Sequence, residues 1–292
     1  MSSFAVVDGL HLEQLTLLVV FLIAASVVAL AGGQLVLAGV LLALAMVKPQ
    51  LAILAAAFLM LWTLGAWPSR KRFAIGFGGT MAALLIGSEL VLPGWFQLWL
   101  QATREYIADH RPSLLANLLG QQAAIIVAAG AIVLCGALFW RVRKEPPGSG
   151  PFNFALVAAL TLTTLVLPNA GSAYYNQALL LPACLWLFIP GWTLAGKNLM
   201  ARLLWLVAVN LLAWEWILAL PVSFAALVLH HAPQHEVTFF AIGPQFMSYL
   251  FPFALALFVL SVAPQLRRAS EPARSPVLRS TKLRESELSG TD

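Results

Sequence analysis

From Leu15 to Trp67 the chain carries a single charged side chain, Lys48, and Pro49 follows it directly. A segment needs about 20 apolar residues to cross a bilayer. Inside hydrocarbon its backbone N–H and C=O groups must be satisfied within the segment, which selects helices. The rest of the chain matches this stretch. Of 292 residues, 61% are hydrophobic and 10% charged, with mean hydropathy +0.86, whereas a soluble domain carries about 25% charged residues. The expected fold class is an all-α polytopic membrane protein. The net charge of +5 does not point to nucleic acid here, because the placement of the basic residues outweighs their sum. Cys135 and Cys184 both lie in apolar runs, so they are expected to be small core residues rather than a disulfide or thiol metal site. The start, MSSFAVVDGLHLEQ, has no basic residue before the first apolar run and is not a signal peptide.

The apolar runs are Leu15–Ala31, Leu35–Val47, Leu51–Trp67, Phe73–Leu92, Gln122–Trp140, Phe154–Pro168, Gln177–Trp192, Leu203–Pro221 and Phe246–Pro264. They predict about nine spans, several of them short. Basic residues cluster at Arg70–Arg72, at Arg141, Arg143 and Lys144, at Lys197 and Arg202, and along the tail from Arg267 to Arg284. Placing all four clusters in the cytoplasm makes the spans alternate. Of the 17 basic residues it leaves only Lys48, Arg104 and Arg111 outside. The N-terminus is then outside and the C-terminus inside. Residues 1–266 form the membrane domain, and 267–292, rich in Ser, Arg, Glu and Pro, form a disordered cytoplasmic tail. An eight-span alternative treats Leu35 to Leu64 as one long helix broken at Lys48-Pro49. It leaves Lys48 near mid-bilayer at a cost of at least ~2.5 kcal/mol.

In the nine-span arrangement Val47 ends one helix and Pro49 starts the next, where its missing N–H costs nothing. Lys48 sits on the turn, beside the free N–H groups of a helix N-terminus, a place suited to an anion such as a lipid phosphate. The alternative is a lysine snorkelling to the headgroups. His11, Glu13 and Gln14 fall on the same side. So does the loop after Leu92, where Trp95, Trp99, Ala102 and Tyr106 form one helical stripe and Gln97, Gln101, Arg104, Glu105 and Asp109 the other. That pattern predicts an amphipathic helix in the interface, with Arg104 and Arg111 available to phosphate. The segment PNAGSAYYNQALLLP adds Asn169, Tyr174, Tyr175, Asn176 and Gln177. Adjacent amides and phenols suit sugar hydroxyls, and tyrosines also serve as interfacial belt residues. His231 and His235 are four apart, but Pro233 between them spoils a helical metal pair. Glu89 and Glu215 lie within apolar runs, where a carboxylate is a functional candidate. No phosphate-cradling glycine motif, HExxH or GxSxG is present.

The succession LEQLTLLVVFL, LAGVLLALAMVKPQLAIL, SRKR, PGWFQLWLQ, PSLLANLLG and YNQALLLP resembles glycosyltransferase family 87, from about His11 to Leu220. The resemblance implies a GT-C-like membrane fold. It also implies a hexosyltransferase, often a mannosyltransferase, that uses a polyprenyl-phosphate sugar on the outer face of the cell (plasma or inner) membrane of a bacterium. A carboxylate takes the proton of an acceptor hydroxyl on a glycolipid or glycan. The hydroxyl attacks the anomeric carbon and the lipid phosphate leaves with inversion. No cofactor and no metal is implied. The phosphate-binding role falls on Lys48, with Arg104 or Arg111, and contacts to sugar or acceptor fall on Gln14, Gln50, Tyr174, Tyr175 and Asn176. Family members begin with several more spans and carry their catalytic aspartate in the first external loop. This chain is therefore expected to be the C-terminal portion, truncated at the N-terminus. None of its acids matches that aspartate; the substitutes are Glu13, Glu89 and Asp109, followed by Asp8 and Glu215.

Two other functions fit the same features. Broken helices with a charge at the break also mark transport sites, as in a transporter or lipid flippase. A non-catalytic membrane partner of a separate N-terminal half is the third.

Overall fold

The computed structural model describes residues 14–108, 113–167, 174–183, 185, 198–211 and 250–262. Among the described residues every regular element is a helix: α1 (Thr16–Ala31), α2 (Leu35–Ala45), α3 (Pro49–Leu64), α4 (Trp67–Val91), α5 (Trp95–Ala108), α6 (Leu114–Leu119), α7 (Gln121–Val142), α8 (Gly150–Val166), a 3₁₀ turn (Tyr174–Leu179), α9 (Leu199–Leu211) and α10 (Leu250–Val262).

Turn chemistry sets the breaks. Gly33, Gly94, Gly120 and Gly148 all have positive φ, and each stands at the edge of a helix. Pro49 occupies the first turn of α3, and Pro68 lies in the first turn of α4, where an absent N–H loses no bond. Ser113 and Ser149 cap α6 and α8 by accepting the N–H of Ala116 (3.2 Å) and Phe152 (3.4 Å).

Helix α8 is the central post: Phe152, Ala155, Leu156, Val157, Ala159 and Leu160 are completely buried. Helices α3 and α7 pack on it, while α1 and α4 pack on α2. The α2–α4 contact is made backbone to backbone: a Cβ on Gly39 would collide with the Phe73 carbonyl oxygen, and one on Gly76 with that of Val36. An aromatic cluster fills the space between α3, α4, α7 and α8. Phe58 meets Phe139 and Phe152 with ring centroids 4.8 and 5.1 Å apart, and Trp62 meets Phe152 and Phe73 at 5.9 and 6.3 Å. Cys135 is buried in the same core; Cys184 lies outside the described residues.

Among the described residues the first six expected spans each overlap an α-helix; of Leu203–Pro221 and Phe246–Pro264 only the helical parts up to residue 211 and from 250 to 262 are described. Gln177–Trp192 is described mainly at its start, where the 3₁₀ turn passes into helical residues 180–183. Among the described residues two helices, α4 (25 residues) and α7 (22 residues), are long and apolar enough to cross a membrane alone. The described parts of the other apolar helices run from 11 to 17 residues, shorter than a full crossing at 1.5 Å per residue. In α4 and α7 only 6% and 17% of the apolar window is buried within the chain. A core helix of a soluble protein would be mostly buried, so these surfaces are consistent with a membrane protein. The tail expected to be cytoplasmic, 267–292, the HHAPQHE segment and Glu215 lie outside the described residues.

Candidate functional site at the Lys48 turn

Helix α3 separates two polar clusters by about 24 Å, the length of 16 helical residues. At its N-terminus Lys48 is the N-cap residue, on the turn and outside both flanking helices. Its ammonium donates to Thr16 Oγ1 at 2.9 Å and to Asn176 Oδ1 at 3.0 Å. The Thr16 hydroxyl in turn donates to the same Asn176 oxygen at 2.7 Å. The three bonds close a triangle joining the start of α1, the α2–α3 turn and the 3₁₀ turn. Lys48 Nζ also stands 4.8 Å from the centroid of the Tyr175 ring, a cation–π contact.

Thr16 and Asn176 are buried, whereas Lys48 is half-buried. Burial pushes the lysine pKa down from the usual 10.5 to about 8, because desolvation penalises the charged form. Glu89, Glu105 and Glu145 are the acids among the described residues, and none forms a salt bridge with Lys48. Its partners among the described residues are neutral oxygens and a ring, and no described acid cancels its charge. An ammonium has three N–H donors; two are directed at Thr16 and Asn176. The adjacent α3 N-terminus adds the positive end of the helix dipole; Pro49 has no N–H, and the Leu51 N–H donates to the Lys48 carbonyl at 3.0 Å. This arrangement can receive an anionic oxygen.

Several sequence-predicted residues converge here. Lys48, Tyr175 and Asn176 touch; Gln14 lies two residues before Thr16, and Gln50 is in the first turn of α3. Tyr174 opens the 3₁₀ turn. Arg104 is exposed on the amphipathic helix α5, where Trp95, Phe96 and Trp99 cluster and Gln101 donates to Glu105 at 3.0 Å. Arg111, Glu13, Asp8 and Asp109 lie outside the described residues. The Glu89 carboxylate accepts the Gly94 N–H at 2.6 Å, closing the turn between α4 and α5. Thr16 escaped the sequence reading because it looks like one more small residue in an apolar run. The available signal was its place at the first turn of α1, just after Gln14.

At the other end of α3, Arg70 gathers main-chain carbonyls. Its Nη1 donates to Trp62 O and Arg143 O, both at 2.6 Å, and its Nη2 to Lys144 O (3.3 Å) and Glu145 O (3.4 Å). Its guanidinium lies 3.9 Å from the centroid of the Trp62 ring, whose indole N–H donates to Glu145 O at 2.8 Å. Arg143 likewise covers Trp140 and donates to its carbonyl. The basic residues used as sidedness markers are thus also ties between helix ends.

Residues 1–168 match the model of glycosyltransferase family 87, more than half of the chain. The match includes Thr16 and Lys48 and stops short of Asn176, so it is shorter at the C-terminal side than the expected resemblance to Leu220. A search of the curated proteins and a search of the solved structures find no match. With the helical fold and this match in hand, the chain belongs to glycosyltransferase family 87, a family of membrane glycosyltransferases.

Proposed function

We propose that this chain transfers a hexose, mannose being one the resemblance often implies, from a polyprenyl-phosphate donor to a hydroxyl of a glycolipid or glycan acceptor. In this reading the chain crosses the membrane about nine times, with the Lys48 turn on the outer face. The observation that carries the reading is the ammonium of Lys48, held by the neutral oxygens of Thr16 and Asn176 at a helix N-terminus. In the transfer, an acceptor oxygen forms a bond to the anomeric carbon as the bond from that carbon to the phosphate oxygen breaks. The acceptor proton passes to a carboxylate, for which Glu13, Glu89 and Asp109 are the candidates. Charge grows on the departing phosphate, and a preorganised cation there stabilises the transition state more than the ground state. Gln14, Gln50, Tyr174, Tyr175 and Asn176 supply donors and acceptors for sugar hydroxyls, and Arg104 and Arg111 further cations for the lipid phosphate.

The test is a transfer assay in proteoliposomes with radiolabelled polyprenyl-phosphate mannose and a membrane glycolipid extract as acceptor. Wild-type protein is expected to label the acceptor, and Lys48→Ala to insert normally but label it at least ~100-fold more slowly. Equal labelling by the two proteins would sink this reading. Movement of the lipid between leaflets without any labelling would favour the flippase instead.

A further inference from the structure

Thr16 is polar, completely buried and placed at the mouth of an apolar helix. Burial of a hydroxyl is unfavourable unless it is hydrogen-bonded, and here both of its capacities are used on one charged neighbour and that neighbour's other partner. It accepts from Lys48 and donates to Asn176, while Asn176 accepts from both. The direction of each bond is fixed by chemistry: an ammonium cannot accept, so Thr16 must turn its proton towards Asn176. Two of the three lysine N–H groups are thereby aimed inward at a buried pair, and the third meets no oxygen among the described residues, with the Tyr175 ring 4.8 Å from the ammonium.

We infer that Thr16 and Asn176 are positioning residues that orient the Lys48 ammonium so that its remaining N–H meets an anionic oxygen of the substrate. The inference rests on the reading of Lys48 as the phosphate-binding cation. The pairing gives the lysine what its four-carbon stem lacks, a single orientation. Both holders are neutral, and this matters: a carboxylate in either place would orient the ammonium equally well but would neutralise it. Asn176 supplies its oxygen without bringing a charge of its own. The burden on Thr16 is the hydroxyl alone, so serine meets it and valine, of nearly the same shape, does not.

The experiment uses the full chain in detergent and titrates it with farnesyl monophosphate by calorimetry, with thermal unfolding recorded for each variant. Lys48→Ala is expected to abolish binding. Thr16→Val is expected to weaken it about tenfold, and Thr16→Ser to restore it to within about twofold of wild type. Asn176→Asp is expected to bind at least about tenfold more weakly, with the loss judged only on protein that unfolds cooperatively. If Lys48→Ala loses binding while Thr16→Val and Asn176→Asp bind like wild type, the positioning role is overturned and the phosphate reading stands. If Lys48→Ala itself binds like wild type, both are overturned. Should Thr16→Val fail to fold, Asn176→Asp decides alone.

Discussion

Lys48 and Arg70 stand at opposite ends of α3, each a cation over an aromatic ring, Tyr175 in one case and Trp62 in the other. Their partners differ in kind. Arg70 bonds to main-chain carbonyls where α3 and α7 end, groups that carry partial negative charge and have no intrahelical donor. Its fork is filled by the fold itself. Lys48 stands at the start of a helix, where the local dipole is positive, and bonds to two side-chain oxygens. The fold adds positive potential to Lys48 and negative potential to Arg70. One cation is consumed by architecture; the other, in the proposed function, serves a ligand.

The widest separation between the two ends is expected in activity. Lys48→Ala should reduce sugar transfer at least ~100-fold while changing stability by less than about 1 kcal/mol, read from kcat/KM and from unfolding in detergent. Arg70→Ala should do the reverse. Stranding the carbonyls of Trp62 and Arg143 costs about 2–4 kcal/mol, with kcat per folded molecule little changed. Equal losses of stability at both ends would break the comparison.

Titration sharpens it further. The folded protein holds Lys48 at about 8 against an ordinary 10.5, so the lysine is charged below about pH 8 and loses its proton above. Phosphate binding should fall up to about tenfold per pH unit above 8. Stability should move the other way, rising between about pH 8 and 10.5, because there the unfolded chain still binds the proton that the folded chain has released. Binding isotherms and denaturation midpoints across pH 7–10 check the two opposed slopes. Arg70, with its far more basic guanidinium, should contribute no slope in that range.

The smallest effect is expected at Glu89. Glutamine retains the carbonyl oxygen that takes the Gly94 N–H, so Glu89→Gln should keep the turn and change transfer by less than about twofold if the residue only closes that turn. A loss of a hundredfold or more would instead identify it as the base.

Much of the helix order was legible because apolar runs punctuated by Gly, Pro and charge leave a chain few choices. The boundaries of α1 and α7 fall within two residues of those expected. Lys48, Tyr175 and Asn176 were legible as polar groups on one side, since alternation of spans brings distant turns together. Their union in one triangle was not, because a sequence carries no distance between residues 128 apart. Arg70 was legible as a charge but not as a clamp. Its partners are backbone atoms, which have no letter in the sequence, although Gly65 beside it, which lets the Arg143 backbone come close, was a trace. Glu89 was read as an intramembrane acid because its apolar flanks are visible and the turn it closes, five residues on, is not.

The glycine contact between α2 and α4 has a mechanical consequence. With no side chain between them at Gly39 and Gly76, the two helices interlock like meshed teeth and cannot slide without lifting apart. The Lys48 turn hangs from the end of one, and the aromatic helix α5 from the end of the other. The pair is thus a stiff chassis: any rocking of α4 in the bilayer carries α2 with it.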